Sequence, residues 1–263
     1  MALLEIRDLE VHFPQTSLVD LVRGRRRVVR AVDGVSLTVA RGETVGIIGE
    51  SGSGKSTLAR AMLRLVAPTG GRILFDGTDV ATMDKAALLA FRRRVQMIFQ
   101  DPVGALNPRL TVRDCLDEVL RVHGAAGGRA ARVAALMEMV GLGASLADRR
   151  PRALSGGQCQ RVGIARALAV GPDLVVADEV TAALDVSIQA QILNLLADLK
   201  AELGLTLVFI SHNLAVVRHI CDRVVVMNAG RIVEEGPTEA VLASPREAYT
   251  RELIAAMPTL AGT

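Results

Sequence analysis

Nine consecutive residues, Gly49-Glu50-Ser51-Gly52-Ser53-Gly54-Lys55-Ser56-Thr57, fill the pattern G-x-x-x-x-G-K-[ST]. The apolar run Val45-Gly46-Ile47-Ile48 precedes them and the helix-like Leu58–Val66 follows. A strand, a glycine loop and a helix in that order make a phosphate cradle. The glycines let successive backbone N–H groups turn inward, and the helix aims its positive N-terminal end at the same point. Lys55 is placed to reach the β- and γ-phosphates, and Ser56 to reach Mg²⁺. The pattern implies a bound nucleoside triphosphate, and every fold open to this chain must set these three pieces in succession.

The rest of the chain is organised around that unit. Leu9, Val11 and Phe13 alternate with polar or charged residues, as do Val35, Leu37 and Val39, which predicts N-terminal strands with one buried face. Short β-rich runs follow at Arg72–Phe75, Val95–Phe99, Leu174–Ala177, Leu205–Ile210 and Arg223–Met227. Most alternate with helices. Ile188, Ile192, Leu195, Leu196, Leu199 and Leu203 lie at helical spacing, and Gly204 stops that helix just before the next strand. That order predicts a parallel α/β core. Between about Asp101 and Val170 the strand signal disappears. There Thr111 and Asp114 resemble a capping box, and Val133, Leu136, Met137 and Val140 form an apolar stripe ending at Gly141, so a helical insertion is expected.

Two further segments carry chemistry. Leu174-Val175-Val176-Ala177-Asp178-Glu179 is an apolar strand ending in two acids, at the carboxyl edge where ligands bind in α/β sheets. Downstream of a phosphate loop, Asp178 is the expected Mg²⁺ ligand, through water, and Glu179 the expected general base for the water that attacks the γ-phosphate. Leu154-Ser155-Gly156-Gly157-Gln158 precedes the apolar helix Val162–Val170. A serine and two glycines at a helix N-terminus present N–H groups to an anion. Because one triphosphate does not need two such sites from one chain, this second site is expected to contact the γ-phosphate of a nucleotide held by a partner subunit.

The phosphate loop, Gln100 after Met97-Ile98-Phe99, Leu154–Gln158, Asp178-Glu179, Ala183-Leu184-Asp185 and His212 after Ile210-Ser211 stand in the order found in ATP-binding cassette (ABC) ATPases. The resemblance runs from about Leu4 to Met257. It implies an α/β P-loop NTPase core with an N-terminal antiparallel β subdomain and an inserted α-helical subdomain. The implied domain is a single one over residues 1–263, with its core at 1–100 and 171–263 and the helical part at about 101–170. It also implies a head-to-tail dimer closing on two ATP molecules. By position, Gln100 resembles the residue that senses Mg²⁺ and water, His212 the switch histidine on the γ-phosphate, and Asp185 the acid that crosses the dimer interface. Phe13 resembles the adenine-stacking aromatic, with a core strand residue as the alternative.

Gln100–Pro108, the tail Ser244–Arg251 and Val186–Leu193 are similar to ATPase subunits of peptide and nickel importers. The resemblance therefore implies two permease subunits, an external solute-binding protein, and docking of the permease loops at Asp101–Pro108, with Leu106 as a contact. A non-transport ABC ATPase and an exporter motor are the alternatives. The chain departs from the family at Val180, where Pro is usual, at Asn213, where Asp is common, and at Cys159, where a basic residue often follows. Cys159 is expected to be a buried inert thiol; the alternative, from its place in the first turn of its helix and near Arg161, is a favoured thiolate, so that alkylation inhibits and ATP protects.

Composition excludes several other classes. Among 263 residues no apolar run approaches the roughly 18 needed to span a bilayer. Acids at Glu5 and Asp8 break the apolar stretch a signal peptide needs, and three cysteines without metal-ligand spacing fit a reducing compartment, so a place at the cytoplasmic face of the membrane is expected. A formal charge of +3, with one Tyr, five Phe and no Trp, gives no call for nucleic acid. The basic cluster from Arg23 to Arg27 reads as a solvated loop, with contact to anionic lipid headgroups as the alternative.

Overall fold

The computed structural model describes residues 2–15, 27–124, 127–182 and 184–256. Arg23–Arg26, Ala183 and the end of the chain from Met257 lie outside the described residues. In chain order the strands and helices begin with β1 (Ala2–Gln15), β2 (Arg27–Ala40), β3 (Thr44–Ile48), α1 (Lys55–Met62), β4 (Gly70–Phe75) and β5 (Thr78–Asp79). Then come α2 (Lys85–Arg94), β6 (Val95–Ile98), α3 (Val112–Val122), α4 (Arg129–Met139), α5 (Gly156–Leu168), β7 (Leu174–Asp178) and α6 (Val186–Leu203). The chain continues with β8 (Thr206–Ile210), α7 (Leu214–Ile220), β9 (Arg223–Asn228), β10 (Arg231–Pro237), α8 (Thr238–Ala243) and α9 (Ala248–Ala256). Two compact units result, one made of the chain up to Leu88 with everything from Val208, the other of Leu89–Leu207.

In the first unit β1 pairs antiparallel with β2 and with β4, and β4 with β5. Ile6 faces Leu37 and Leu9 faces Val35, so the inward set changes parity between them. The cause is a bulge. Asp8 takes φ 46°, its N–H donates to Ser36 Oγ at 2.9 Å, and the extra residue turns both Ile6 and Leu9 toward the core. Asp76 and Gly77, both at positive φ, make the two-residue β4–β5 turn that the right-handed strand twist favours. All five residues of β3 are buried, and this strand runs parallel to β9, whose Val224–Met227 are fully buried. Strands buried on both faces read as continuous apolar runs rather than alternating ones. β9 turns through Ala229-Gly230 into the antiparallel β10.

In the second unit β6 and β7 run parallel, Ile98 opposite Ala177. The expected helices are all present. Thr111 and Asp114 form the capping box at the start of α3, with Thr111 Oγ1 accepting the Asp114 N–H at 3.1 Å and Asp114 Oδ2 accepting the Thr111 N–H at 3.2 Å. Val133, Leu136 and Met137 bury the stripe of α4, and Gly204 closes α6 in the left-handed conformation. The short β-rich runs hold to within a residue or two at their ends, whereas β1 and β2 each reach 14 residues, starting at Ala2 and Arg27, well before the alternating residues that announce them. The helical segment at about 101–170 lies inside this unit, which also contains β6, β7 and α6.

Candidate nucleotide site

The phosphate loop is shaped by its surroundings in the first unit. A Cβ on Gly49 would stand 2.2 Å from the Met227 carbonyl oxygen, and one on Gly54 would stand 2.1 Å from that of Ala31. Both glycines also have φ between 100° and 160°, at 152° and 104°. No side chain fits at either place, so backbone from β2 and β9 supports the loop from below. Gly230 N–H adds a bond to the Ser53 carbonyl at 3.0 Å. Gly54 caps α1 without a side chain, which leaves Lys55, Ser56 and Thr57 on the first helical turn with their N–H groups directed toward the loop.

Lys55 is 5% exposed. Its Nζ donates to the carbonyls of Gly49 at 2.8 Å and Glu50 at 2.7 Å, and to Ser53 Oγ at 3.3 Å. A buried ammonium needs such acceptors, and they hold the charge at the mouth of the loop. Glu50, Ser51 and Gly52 form its exposed rim, and Ser53 is buried beneath them.

His212 is exposed two residues after β8. It follows Ser211, whose N–H donates to the Ile47 carbonyl in β3 at 3.3 Å. Asn213 stands where Asp is common, but Asn213 Oδ1 still caps α7 by accepting the N–H groups of Ala215 at 3.0 Å and Val216 at 3.4 Å. The departure keeps the local fold because either side chain offers a capping oxygen. Phe13 is 41% exposed on β1 opposite Val29, so it is not a core residue.

In the second unit, β7 ends in the buried Asp178, 3% exposed, and Glu179 follows at φ 46°. A left-handed glutamate is uncommon, and such backbone collects at functional sites. Gln100 Nε2 donates to Glu179 Oε2 at 2.7 Å. Gln189 holds the segment that follows, its Nε2 donating to the carbonyls of Thr181 at 2.9 Å and Leu184 at 2.8 Å. Val180, in place of the usual Pro, is buried. Asp185 sits at the N-cap of α6 with its side chain exposed and making no capping bond.

Ser155 and Gln158 close a capping box at the start of α5. Ser155 Oγ accepts the Gln158 N–H at 3.2 Å and Gln158 Oε1 accepts the Ser155 N–H at 2.9 Å. Gly156 and Gly157 are left to present the remaining first-turn N–H groups. A Cβ on Gly157 would lie 2.6 Å from Ile188 Cγ2, so a glycine here is what allows α5 and α6 to approach.

The buried reading of Cys159 holds, and the expectation for Leu106 is corrected. Cys159 is 0% exposed, its Sγ lies 3.5 Å from the Pro151 carbonyl, and burial pushes its thiol pKa up. Arg161 does not offset that burial, because its guanidinium donates to the Val140 carbonyl at 2.6 Å and to Gln191. The thiol is therefore inert rather than activated. Leu106 is 3% exposed and belongs to the core, whereas Val103 is 48% exposed on the same segment. Reading the sequence also missed Tyr249, whose hydroxyl accepts the Glu50 N–H at 3.1 Å.

The donor set fits a magnesium nucleotide. In the first unit the Lys55 ammonium and the N–H groups at the start of α1 suit phosphate and the Ser56 hydroxyl is a hard oxygen donor; in the second unit the buried Asp178 carboxylate is another donor of the kind that binds Mg²⁺.

Comparisons with known proteins agree. The family model described as ABC transporter matches residues 32–182. A probable peptide ABC transporter ATP-binding protein of Sinorhizobium fredii is 51% identical over 98% of this chain and 73% of its own length. A glutathione import ATP-binding protein of Escherichia coli is 51% identical over 97% of this chain and 41% of its own length. A dimeric ATP-binding cassette bound to ADP and Pi in a post-hydrolysis state superposes with TM-score 0.78 at 31% identity, covering 89% of this chain and 98% of that one. The α/β core, the antiparallel β subdomain, the helical segment, the ATP site and ATP hydrolysis are those of one family. The chain belongs to the ATP-binding subunits of ABC transporters.

Proposed function

We propose that the chain is the ATP-hydrolysing subunit of an importer for small peptides. The observation that carries its enzymology is the Gln100–Glu179 bond, which holds a carboxylate immediately after Asp178. Lys55 and N–H groups of the Gly49–Thr57 loop, other than those of Glu50 and Ser53, bind the β- and γ-phosphates. Ser56, Asp178 and Gln100 hold Mg²⁺, which when bound neutralises phosphate charge. Glu179 accepts the proton of the attacking water, and the Gln100 carboxamide keeps its oxygen oriented. His212 donates to the γ-phosphate, and Phe13 stacks on adenine.

Catalysis is completed in a head-to-tail pair of cassettes, a second copy or a related ATPase. There Ser155, Gly156, Gly157 and Gln158 meet the γ-phosphate bound by the partner, and Asp185 crosses between them. The exposed Asp185 and the first-turn N–H groups of Gly156 and Gly157 support this reading. Two permease subunits supply the membrane path and an external solute-binding protein delivers cargo. Among the described residues no helix is long and apolar enough to cross a membrane, so the place proposed for this chain is peripheral, on the cytoplasmic face.

The names of the peptide and glutathione relatives favour peptide cargo over nickel. The complex, purified with its permeases in lipid and given its binding protein, is expected to hydrolyse ATP faster when di- to pentapeptides are added. Stimulation by nickel and not by peptides would overturn the cargo assignment.

A further inference from the structure

Tyr249 is separated from the phosphate loop by some 200 positions of chain, yet its hydroxyl meets the Glu50 N–H at 3.1 Å. It is the second residue of α9, and the start of that helix is anchored from β10. Glu234 accepts the N–H groups of Arg246 at 2.8 Å and Glu247 at 3.2 Å. Arg251 ties the same turn together by donating to the carbonyls of Pro245 at 3.2 Å and Arg246 at 2.7 Å. Thr250 and Leu253 are buried beneath it. The tyrosine thus comes from a fixed support.

The bond matters because of what the same peptide unit carries on its other side. The Glu50 N–H and the Gly49 C=O belong to one rigid amide plane. That carbonyl accepts Lys55 Nζ at 2.8 Å. Rotating the plane moves donor and acceptor together, so Tyr249 on one edge sets where Lys55 is held on the other. Backbone supports the remainder of the loop, at Gly49 from Met227, at Ser53 from Gly230 and at Gly54 from Ala31. At the rim, where Glu50, Ser51 and Gly52 are exposed, Tyr249 supplies a tie from outside the loop.

We propose that Tyr249 is a positioning residue for nucleotide binding: its hydroxyl fixes the Gly49–Glu50 peptide plane and, through it, the resting place of the Lys55 ammonium. The C-terminal helix α9 is by this route part of the phosphate site.

Tyr249→Phe removes the hydroxyl and keeps the ring. It is expected to raise KM for ATP roughly fivefold, the worth of one neutral hydrogen bond, with kcat within about twofold and an unchanged melting temperature. Amide hydrogen exchange at Glu50 in the nucleotide-free protein is expected to quicken. Wild-type KM together with wild-type exchange at Glu50 would overturn the proposal. So would a lowered melting temperature with KM unchanged, since that assigns the residue to packing alone. Tyr249→Ala separates the two contributions, adding a loss of stability to the same rise in KM.

Discussion

Gln100 Nε2 and Glu179 Oε2 lie 2.7 Å apart, joining the segment after β6 to the residue after β7. The strand register explains the meeting. Ile98 is paired with Ala177 in a parallel ladder, and each partner of the bond stands two residues beyond its member of that pair. Both residues lie just past the ends of their strands, so the parallel register brings them out at the same edge, with Glu179 in the left-handed conformation. A neutral carboxamide can hold a carboxylate without neutralising it, which keeps Glu179 available as a base.

Gly54→Ala puts a methyl group 2.1 Å from a backbone oxygen at φ 104°. The loop must shift, at a cost of roughly 2 kcal/mol in stability and with at least about tenfold weaker ATP binding. Thermal unfolding and calorimetric titration check this, and wild-type values in both would contradict the packing described.

Cys159 is expected to resist maleimide at neutral pH in the folded chain, with or without ATP, because the buried thiol neither ionises nor meets solvent. Peptide mapping after a timed pulse of reagent reads this directly. Modification of Cys159 as fast as in urea would contradict it.

Glu234 makes a prediction in pH. Burial is the largest influence and opposes its ionisation, but the Arg246 N–H, Thr250, the Glu247 N–H and the Arg246 charge together outweigh it and hold its carboxyl below the usual glutamate range. A folded-state pKa below the unfolded one stabilises above the unfolded value, and the gain is lost as pH falls through the folded value. Glu234→Gln is therefore expected to be less stable than wild type near pH 7, with the gap narrowing below the usual value of 4.5. Denaturant midpoints across that range test it, and a constant gap would exclude the carboxylate as the cause.

Val103→Asp places a charge at an exposed apolar position in the segment that Asp101 braces, Asp101 Oδ1 accepting the N–H groups of Val103 at 3.1 Å and Gly104 at 2.9 Å. If this surface receives the permease, transport in reconstituted vesicles falls about tenfold or more while ATPase activity of the isolated chain is unchanged. Undiminished transport would remove the segment from the interface.

Much of this was legible in the sequence because local chemistry decides it. The phosphate loop, the Thr111–Asp114 capping box and the Gly204 stop depend on residues a few places apart. The fully buried strands β3, β7 and β8 declared themselves as apolar runs. What escaped depends on distance or on atypical turns. β10 follows a two-residue turn of Ala229-Gly230, and alanine at φ 46° gives no turn signal. The burial of Leu106 is set by neighbours that a loop position alone does not reveal. The Gln100–Glu179 bond required the β6–β7 register, and the Tyr249–Glu50 bond required knowing where α9 returns.

The central claim is that Glu179 activates water against an ATP held by Lys55 and the phosphate loop. Glu179→Gln keeps the side-chain shape and its contact with Gln100 while removing the base. Incubated with Mg²⁺ and radiolabelled ATP, then stripped of free nucleotide and denatured, this variant is expected to release ATP rather than ADP, with kcat lowered by roughly 10²–10⁴. Bound ADP, or turnover at the wild-type rate, would contradict the account.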